Sequence, residues 1–465
     1  MTKPAYNTAY ILTISAVAAL GGLLFGYDFV VIGGAKPFYE SFFRLHTEQQ
    51  IGWANSCALL GCLVGAGASG TLSERLGRKK LLIGAALLFA VSSILTGWAP
   101  AFRWFIAWRI AGGIAIGMAS NVSPMYIAEI SPEQWRGRLV TLNQLTIVVG
   151  ILAAQIVNWL IARPVPEGAT AEMIRQSWNG QFGWRWMFTA VAVPSAVFFA
   201  SAFFVPESPR WLAKMKRAEA ARRVLARIGG AGYADGALAQ IRDSLGAEGR
   251  ARASELLAPG LRKVLWLGIV LAVLQQWVGI NVIFNYAEEI YRGAGYSVSG
   301  VLFNIVITGT INLVFTLVAF WFVDRLGRRV LMLAGCAGIG LSHGLLGLAY
   351  HFGLKGLPVL VLTLSTIACF AMTLGPVCWV LISEIFPNRV RGTAMSIAVS
   401  ALWIACFVLT YTFPMLNAAL GAAGTFWLYA AICAGGFFFV RLRVPETKGR
   451  TLEEIAQAAF TAPAR

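Results

Sequence analysis

Long runs of apolar residues separated by short polar stretches make up most of the 465-residue chain. They fall at roughly 9–34, 52–72, 81–98, 103–127, 139–162, 185–205, 263–288, 301–323, 330–350, 358–383, 392–416 and 423–443. About 20 apolar residues cross the hydrocarbon core of a bilayer, so each run predicts a membrane-spanning helix, about twelve in all. An even number of spans puts both termini on one side. One long polar stretch, 206–262, contains "AEAARRVLARI" and "DGALAQIRDSL", whose periodicity and mixed charge predict short helices outside the membrane. The first run has only Lys3 before it and no small-residue cleavage site after it, which predicts a retained helix.

Composition agrees with a polytopic membrane protein: 58% of residues are hydrophobic and 13% charged. The net charge of +17 would suggest a nucleic-acid partner in a soluble protein. Here the basic residues lie in loops, where they set orientation, so no nucleic acid is expected. About 29 of the 38 Lys and Arg fall on the side that carries the termini, which predicts cytoplasmic termini and a cytoplasmic linker. The seven cysteines sit inside apolar runs with no metal-ligand spacing and read as small packing residues. His343 is alone on a Gly-rich span and reads as packed. No nucleophile–base pair or cofactor motif is present; "GGIAIG" at Gly113 and Gly117 lies within a span and reads as close helix packing. Neither an enzyme nor a cofactor is expected.

The two halves of the chain repeat. "LSERLGRKKLL" (72–82) answers "FVDRLGRRVLM" (322–332), and "YIAEISPEQWRG" (126–137) answers "LISEIFPNRVRG" (381–392). "PESPR" (206–210) and "PETKG" (445–449) close the halves alike. The expected organisation is a six-helix bundle over 1–205, a linker with short helices over 206–262, a second six-helix bundle over 263–443 and a tail over 444–465. Parallel repeats holding a substrate at their interface near the midplane are a transporter design.

Polar side chains at bilayer depth point to the substrate. Asn143 and Gln144 lie in the fifth span, Gln275, Gln276, Asn281 and Asn285 in the seventh, Asn312 in the eighth, and Trp379 in the tenth. Amides offer both donor and acceptor to hydroxyls, and an aromatic ring suits the C–H faces of a sugar. A carboxylate substrate would call for a basic group instead. Gly279, beside "QQWVGIN", predicts a break in the seventh helix, acceptable only where backbone lines a cavity. Two charges also lie at depth. Asp28, about six residues before the end of the first run, and Arg109, about six after the start of the fourth, both fall roughly 9 Å below the outer surface at 1.5 Å per residue. At matching depth they can pair, which mitigates the cost of burying each.

Eight stretches in order give the chain a resemblance to the sugar porter family of the major facilitator superfamily: "GGLLFGYD", "RLGRKK", "PMYIAEISPEQWRG", "VPESPRWL", "QQWVGIN", "VDRLGRR", "GPVCWVLISEIFPNRVRG" and "VPETKG". The nearest resemblance is to the bacterial proton–xylose symporters. It implies an all-α fold of twelve transmembrane helices in two pseudo-symmetric bundles, and a monosaccharide and protons as partners of a monomer in the bilayer. It implies sugar contacts from Gln144, Gln275, Gln276, Asn281, Asn312 and Trp379, with Phe25, Phe370, Gly375 and Trp403 lining the pocket. Three positions depart: Asn285 stands where a Tyr is usual, Ile151 where the xylose symporters have Gln, and Leu402 where an amide usually precedes the Trp. "Sugar" therefore carries over, and "xylose" or "glucose" does not. The resemblance gives Asp28 and Arg109 a role in proton coupling, since facilitative carriers have Asn at the position of Asp28. It assigns Arg75, Arg78, Glu129, Arg136, Glu207 and Arg210, with Asp324, Arg325, Arg328, Glu384, Arg391 and Glu446, to a cytoplasmic gate; Glu74, in the same cluster, is given no essential role. An uncoupled carrier and a non-transporting sensor remain as alternatives.

Overall fold

The computed structural model describes residues 6–166, 168–247, 258–386 and 390–446, and it is helical with no strand among them. A few side chains inside these ranges, those of Asp324 and Arg391 among them, lie outside the described residues, as do the end of the expected linker and the tail beyond Glu446.

The first half contains α1 (Thr8–Phe43), α2 (Glu48–Leu76), α3 (Arg78–Gly97), α4 (Phe102–Ile130), α5 (Glu133–Ile161) and α6 (Asn179–Ala202). The second contains α7, broken into Pro259–Trp277 and Ile280–Asn285, then α8 (Val298–Leu326), α9 (Arg328–His351) and α10, broken into Leu357–Met372 and Leu374–Ile385. The last helical stretch, Arg391–Arg443, leaves helical geometry at Gly421 (φ 68°), which divides it into α11 (391–420) and α12 (422–443). Twelve spans result, in a fold of two bundles joined by short helices. The end at which Tyr6 and Glu446 lie is called the near end below; the other is the far end.

Two spans depart from their expected form. α1 runs on to Phe43 instead of stopping near Gly34, so Asp28 is farther from the helix end than its sequence position suggests. α10 is interrupted at Thr373 (φ −129°, ψ −92°), three residues before Pro376, whose ring nitrogen cannot donate to the preceding turn. The linker forms helices as expected: Pro209–Lys214, then Ala218–Ala247 with a break at Gly229 and Gly230. Trp211, Leu212, Ala221, Leu225, Ala234 and Leu238 give these helices a small core of their own.

Within the first half, α2 packs along α4 and α1 along α5. A Cβ on Gly113 of α4 would overlap the carbonyl oxygen of Ala58, and one on Gly117 that of Cys62. Close approach of helices through small residues is what holds membrane bundles together, because lipid offers no hydrophobic drive. Gly113→Val should therefore cost at least the ~1–3 kcal/mol of an overpacked core, read as loss of monodisperse protein in detergent. Gly84→Ala, which adds its methyl where nothing lies within 4 Å, should be neutral by the same measure. Between the halves, α5 meets α8, α2 meets α11 through Trp53 and Phe407, and Gly33 of α1 lets the backbone at Phe284 of α7 approach.

Candidate functional site

The break in α7 falls at Gly279, whose φ of 88° is a left-handed conformation that L side chains rarely adopt. The helix restarts at Ile280, which brings Asn281 and Asn285 inward, both buried. Breaking the helix frees the carbonyl of Val278, and His343 of α9 donates to it from Nε2 at 2.9 Å. His343 is wholly buried and stacks on Phe426 at 5.5 Å. It is packed, as its solitary position suggests, but its bond to the break could not be read from sequence.

Around this break the amides form a chain. Asn281 donates to Gln276, and its Nδ2 also lies 3.2 Å from Cys406 Sγ. Gln276 donates to Gln275 at 2.7 Å, and Gln275 lies 3.5 Å from the carbonyl oxygen of Gly375. All three amide side chains are buried. Such chains polarise one another in a low dielectric, and each member left unpaired there is costly. Gly375 also touches Phe370, and Trp379 follows it by one turn on α10, half-buried.

α11 flanks this chain through Cys406, and α1 packs on α11. Phe25 of α1 packs on Trp403 of α11, ring centroids 5.9 Å apart, next to buried Leu402. On α5, Asn143 is buried against Gly22 of α1, so it serves that helix contact. Its neighbour Gln144 is half-buried and makes no hydrogen bond to the described residues. Asn312 of α8 is buried. Among the described residues, Asn285 Oδ1 and Trp403 Nε1 are buried without a hydrogen-bond partner. Gln155, not anticipated from the sequence, also lacks partners for both amide atoms and lies against Gly309 of α8. Buried polar atoms are rarely left bare without a reason.

Asp28 and Arg109 are brought together. Arg109 Nη1 lies 3.2 Å from both carboxylate oxygens of Asp28 and 3.4 Å from its backbone carbonyl. Both residues are 3% exposed. The guanidinium stands over the ring of Phe188 at 5.4 Å, and its Nε has no partner among the described residues. One nitrogen thus serves both oxygens, in place of the stronger two-pronged arrangement.

The near end carries matching charge clusters in the two halves. Arg78 pairs with Glu74 at 3.0 Å and Glu129 at 2.8 Å; Glu129 also accepts from Ser208, and Glu74 from Lys214. In the second half Arg328 pairs with Glu384 at 3.3 Å. Glu207 and Glu446 act differently from simple ion-pair partners. Glu207 accepts from the backbone N–H of Arg78 at 2.9 Å and of Lys79 at 3.2 Å. Glu446 accepts from Arg328 at 2.9 Å and Arg329 at 3.1 Å. Each carboxylate caps the first turn of α3 or α9, where orphan N–H groups and the helix dipole favour negative charge. Arg136 donates from Nε to the carbonyl oxygen of Ala128. Arg210 lies 3.3 Å from Ser244, Arg325 stands over Trp321, and Arg75 is exposed. All these bonds stay within one half.

The far end holds a charge cluster that the sequence reading missed. Lys36 of α1, 2% exposed, pairs with Glu40 at 3.0 Å, with Glu288 at 3.5 Å, and with Glu289. Arg292 pairs with Glu288 at 2.8 Å. Glu288, Glu289 and Arg292 lie on the short helix Ala287–Gly293 after α7, so Lys36 ties the first half to the second.

A family described as sugar (and other) transporter matches residues 14–459. The chain is 38% identical to the D-xylose-proton symporter of Escherichia coli (strain K12), over 97% of this chain and 96% of that protein. It is 40% identical to the arabinose-proton symporter of Bacillus subtilis (strain 168), over 97% and 95%. Among solved structures, the partially occluded inward-open conformation of the xylose transporter XylE from E. coli superimposes with a TM-score of 0.84 at 36% identity, covering 96% of this chain and 100% of that one.

Proposed function

Because this chain belongs to the sugar transporter family along nearly its whole length, we propose that it is a proton-coupled symporter importing a neutral monosaccharide by alternating access. The observation that carries this reading is the buried Asp28–Arg109 pair, three residues along α1 from Phe25. A carboxylate that can take a proton and release its arginine sits within one turn of a ring that packs on Trp403. Proton binding and the packing around the sugar therefore act on the same helix.

In this reading Gln144, Gln275, Gln276, Asn281, Asn285 and Asn312 meet sugar hydroxyls. Phe25, Phe370, Gly375, Trp379, Leu402 and Trp403 form the walls. The bare atoms of Asn285 and Trp403 suit a ligand rich in donors and acceptors. The near end is cytoplasmic, with residues 206–262 as linker between bundles spanning 1–205 and 263–443. The charge clusters there bias which face is closed, and the protein works as a monomer in the cell membrane. A buried carboxylate paired to arginine favours this reading over an uncoupled carrier, which has no use for a titrating group at that depth.

The relatives named above transport xylose and arabinose, and the sugar here is best found with a panel. Purified protein should bind monosaccharides in competition, and proteoliposomes should show counterflow. Leu402→Gln restores an amide that can reach a sugar hydroxyl. It should reorder the panel by tenfold or more for sugars differing at one hydroxyl, since sites built to hydrogen-bond discriminate strongly. Absence of binding by any sugar would sink the substrate class; binding without counterflow would indicate a sensor.

A further inference from the structure

The far-end cluster is not used by the coupling pair or the amide chain, and it is unbalanced. The carboxylates of Glu40, Glu288 and Glu289 converge on one lysine, and Arg292 pairs with Glu288 alone in the distances described. Glu289 Oε2 is buried and has no partner among the described residues. The cluster floors an open pocket of about 820 Å³ at the far end. Glu289 lines this pocket and its side chain is 27% exposed, so water at that end reaches it.

We propose that this cluster is an ionic latch of the outer mouth, and that Glu289 takes up a proton from the outer side each time the mouth closes. The proposal rests on the orientation and alternating access given above. Closing brings Glu289 of the second half against Lys36 and Glu40 of the first. Three carboxylates around one lysine repel, and one proton on the oxygen that lacks a donor relieves the repulsion at least cost. Opening carries α1 away from the helix 287–293. Glu289 then meets water without Glu40 beside it and gives its proton back to the same side.

Other charged groups around the latch do not remove the imbalance. Just past the end of α1, Arg44 lines the pocket, and Tyr39 of α1 is buried with its hydroxyl unpartnered among the described residues. Glu48 of α2 adds a further negative charge, and His46 lies in the loop before it. From the segment after α5, Glu172 and Arg175 pair with each other, and that bond holds the Glu172 carboxyl down at about 2. Tyr286 donates to the carbonyl oxygen of Thr410 and is committed there. Glu289 lies past Asn285, where the apolar span ends. Burial pushes its proton affinity up to about 8, Lys36 opposing and Glu288 and Glu40 adding to the rise.

The sign follows directly. The closed state binds one more proton than the open state, so acid outside favours closure. The window runs from about 8 down to the ordinary glutamate value of about 4.3. Within it the closed-to-open ratio changes by up to about tenfold per pH unit. The proton enters and leaves on one side, so it adds nothing to the number of protons moved per sugar.

The test uses spin labels on Met173→Cys and Leu354→Cys, two exposed far-end positions in different halves, with distances measured from pH 5 to 9 in sugar-free protein. An Asp28→Asn background removes the other titration. The closed population should rise as pH falls. With Glu289→Gln added it should be high and flat, and with Lys36→Met added it should fall at every pH. A pH dependence that survives Glu289→Gln, or closure untouched by Lys36→Met, overturns the proposal. With Asp28 intact, Glu289→Gln should leave the sugar accumulation ratio at fixed proton-motive force unchanged; a lower ratio would mean that this proton crosses the membrane, which also overturns it. If the parent protein accumulates no sugar at all, symport fails as a reading while the distances still decide the latch.

Discussion

Asp28→Asn will abolish uphill sugar accumulation and leave exchange intact. In proteoliposomes with an imposed pH gradient, the variant should bring internal sugar only to the external level. Counterflow should stay within a few-fold of the parent rate. The asparagine keeps an acceptor for Arg109 Nη1, which now lies 3.2 Å from both aspartate oxygens. It cannot take a proton, so the arginine is never released by one. Breaking a buried ion pair commonly costs about 3–5 kcal/mol because a charge is stranded, and the retained acceptor should keep the loss below that range. The loose geometry of the pair, one nitrogen serving two oxygens, fits a contact that opens and reforms in each cycle. Accumulation by the variant would place the proton site elsewhere.

The second large effect concerns Gln276, the middle member of the amide chain. Gln276→Leu removes its donation to Gln275 and its acceptance from Asn281 together. Each buried group left bare costs about 1–3 kcal/mol, and about 1.4 kcal/mol is tenfold in affinity. Sugar binding should weaken by roughly tenfold to a hundredfold on that scale, measured by calorimetry or competition, and the melting temperature should fall as well. Gln144→Leu separates the two consequences. Gln144 makes no hydrogen bond to the described residues, so its loss should weaken sugar binding at an unchanged melting temperature. Unaltered affinity in either variant would take that residue out of the sugar site.

What could be read from the sequence follows from what is costly in lipid. Apolar runs of spanning length have few other uses, so the helices were legible, and so was the pairing of two lone charges, Asp28 and Arg109. Gly279 announced the break in α7 because glycine alone tolerates its backbone there. Other features were hidden because their cause lies far away along the chain. The first apolar run ends at 34, but α1 continues past it, with Lys36 buried against Glu288 and Glu289 some 250 residues later. The break in α10 at Thr373 has a local cause in Pro376, yet the apolar pattern runs across it unbroken, since hydropathy does not register a change in backbone direction. The part His343 plays at Val278 could not be seen either, because a single histidine on an apolar face says nothing about which carbonyl it meets.

The capping of α3 by Glu207 and of α9 by Glu446 bears on the order in which the chain is made. A ribosome delivers residues 1–205 before the carboxylate that completes the start of α3, and it delivers that carboxylate two residues later. Each half carries its own closing group at its own end, so the first can finish its internal bonds while the second is still being synthesised, in keeping with the tendency of chains to fold unit by unit from the N-terminus. The start of α9 waits for Glu446 through more than a hundred residues of further synthesis. The start of α9 is therefore completed at the near end only once Glu446 has been added, long after the first half has closed its own.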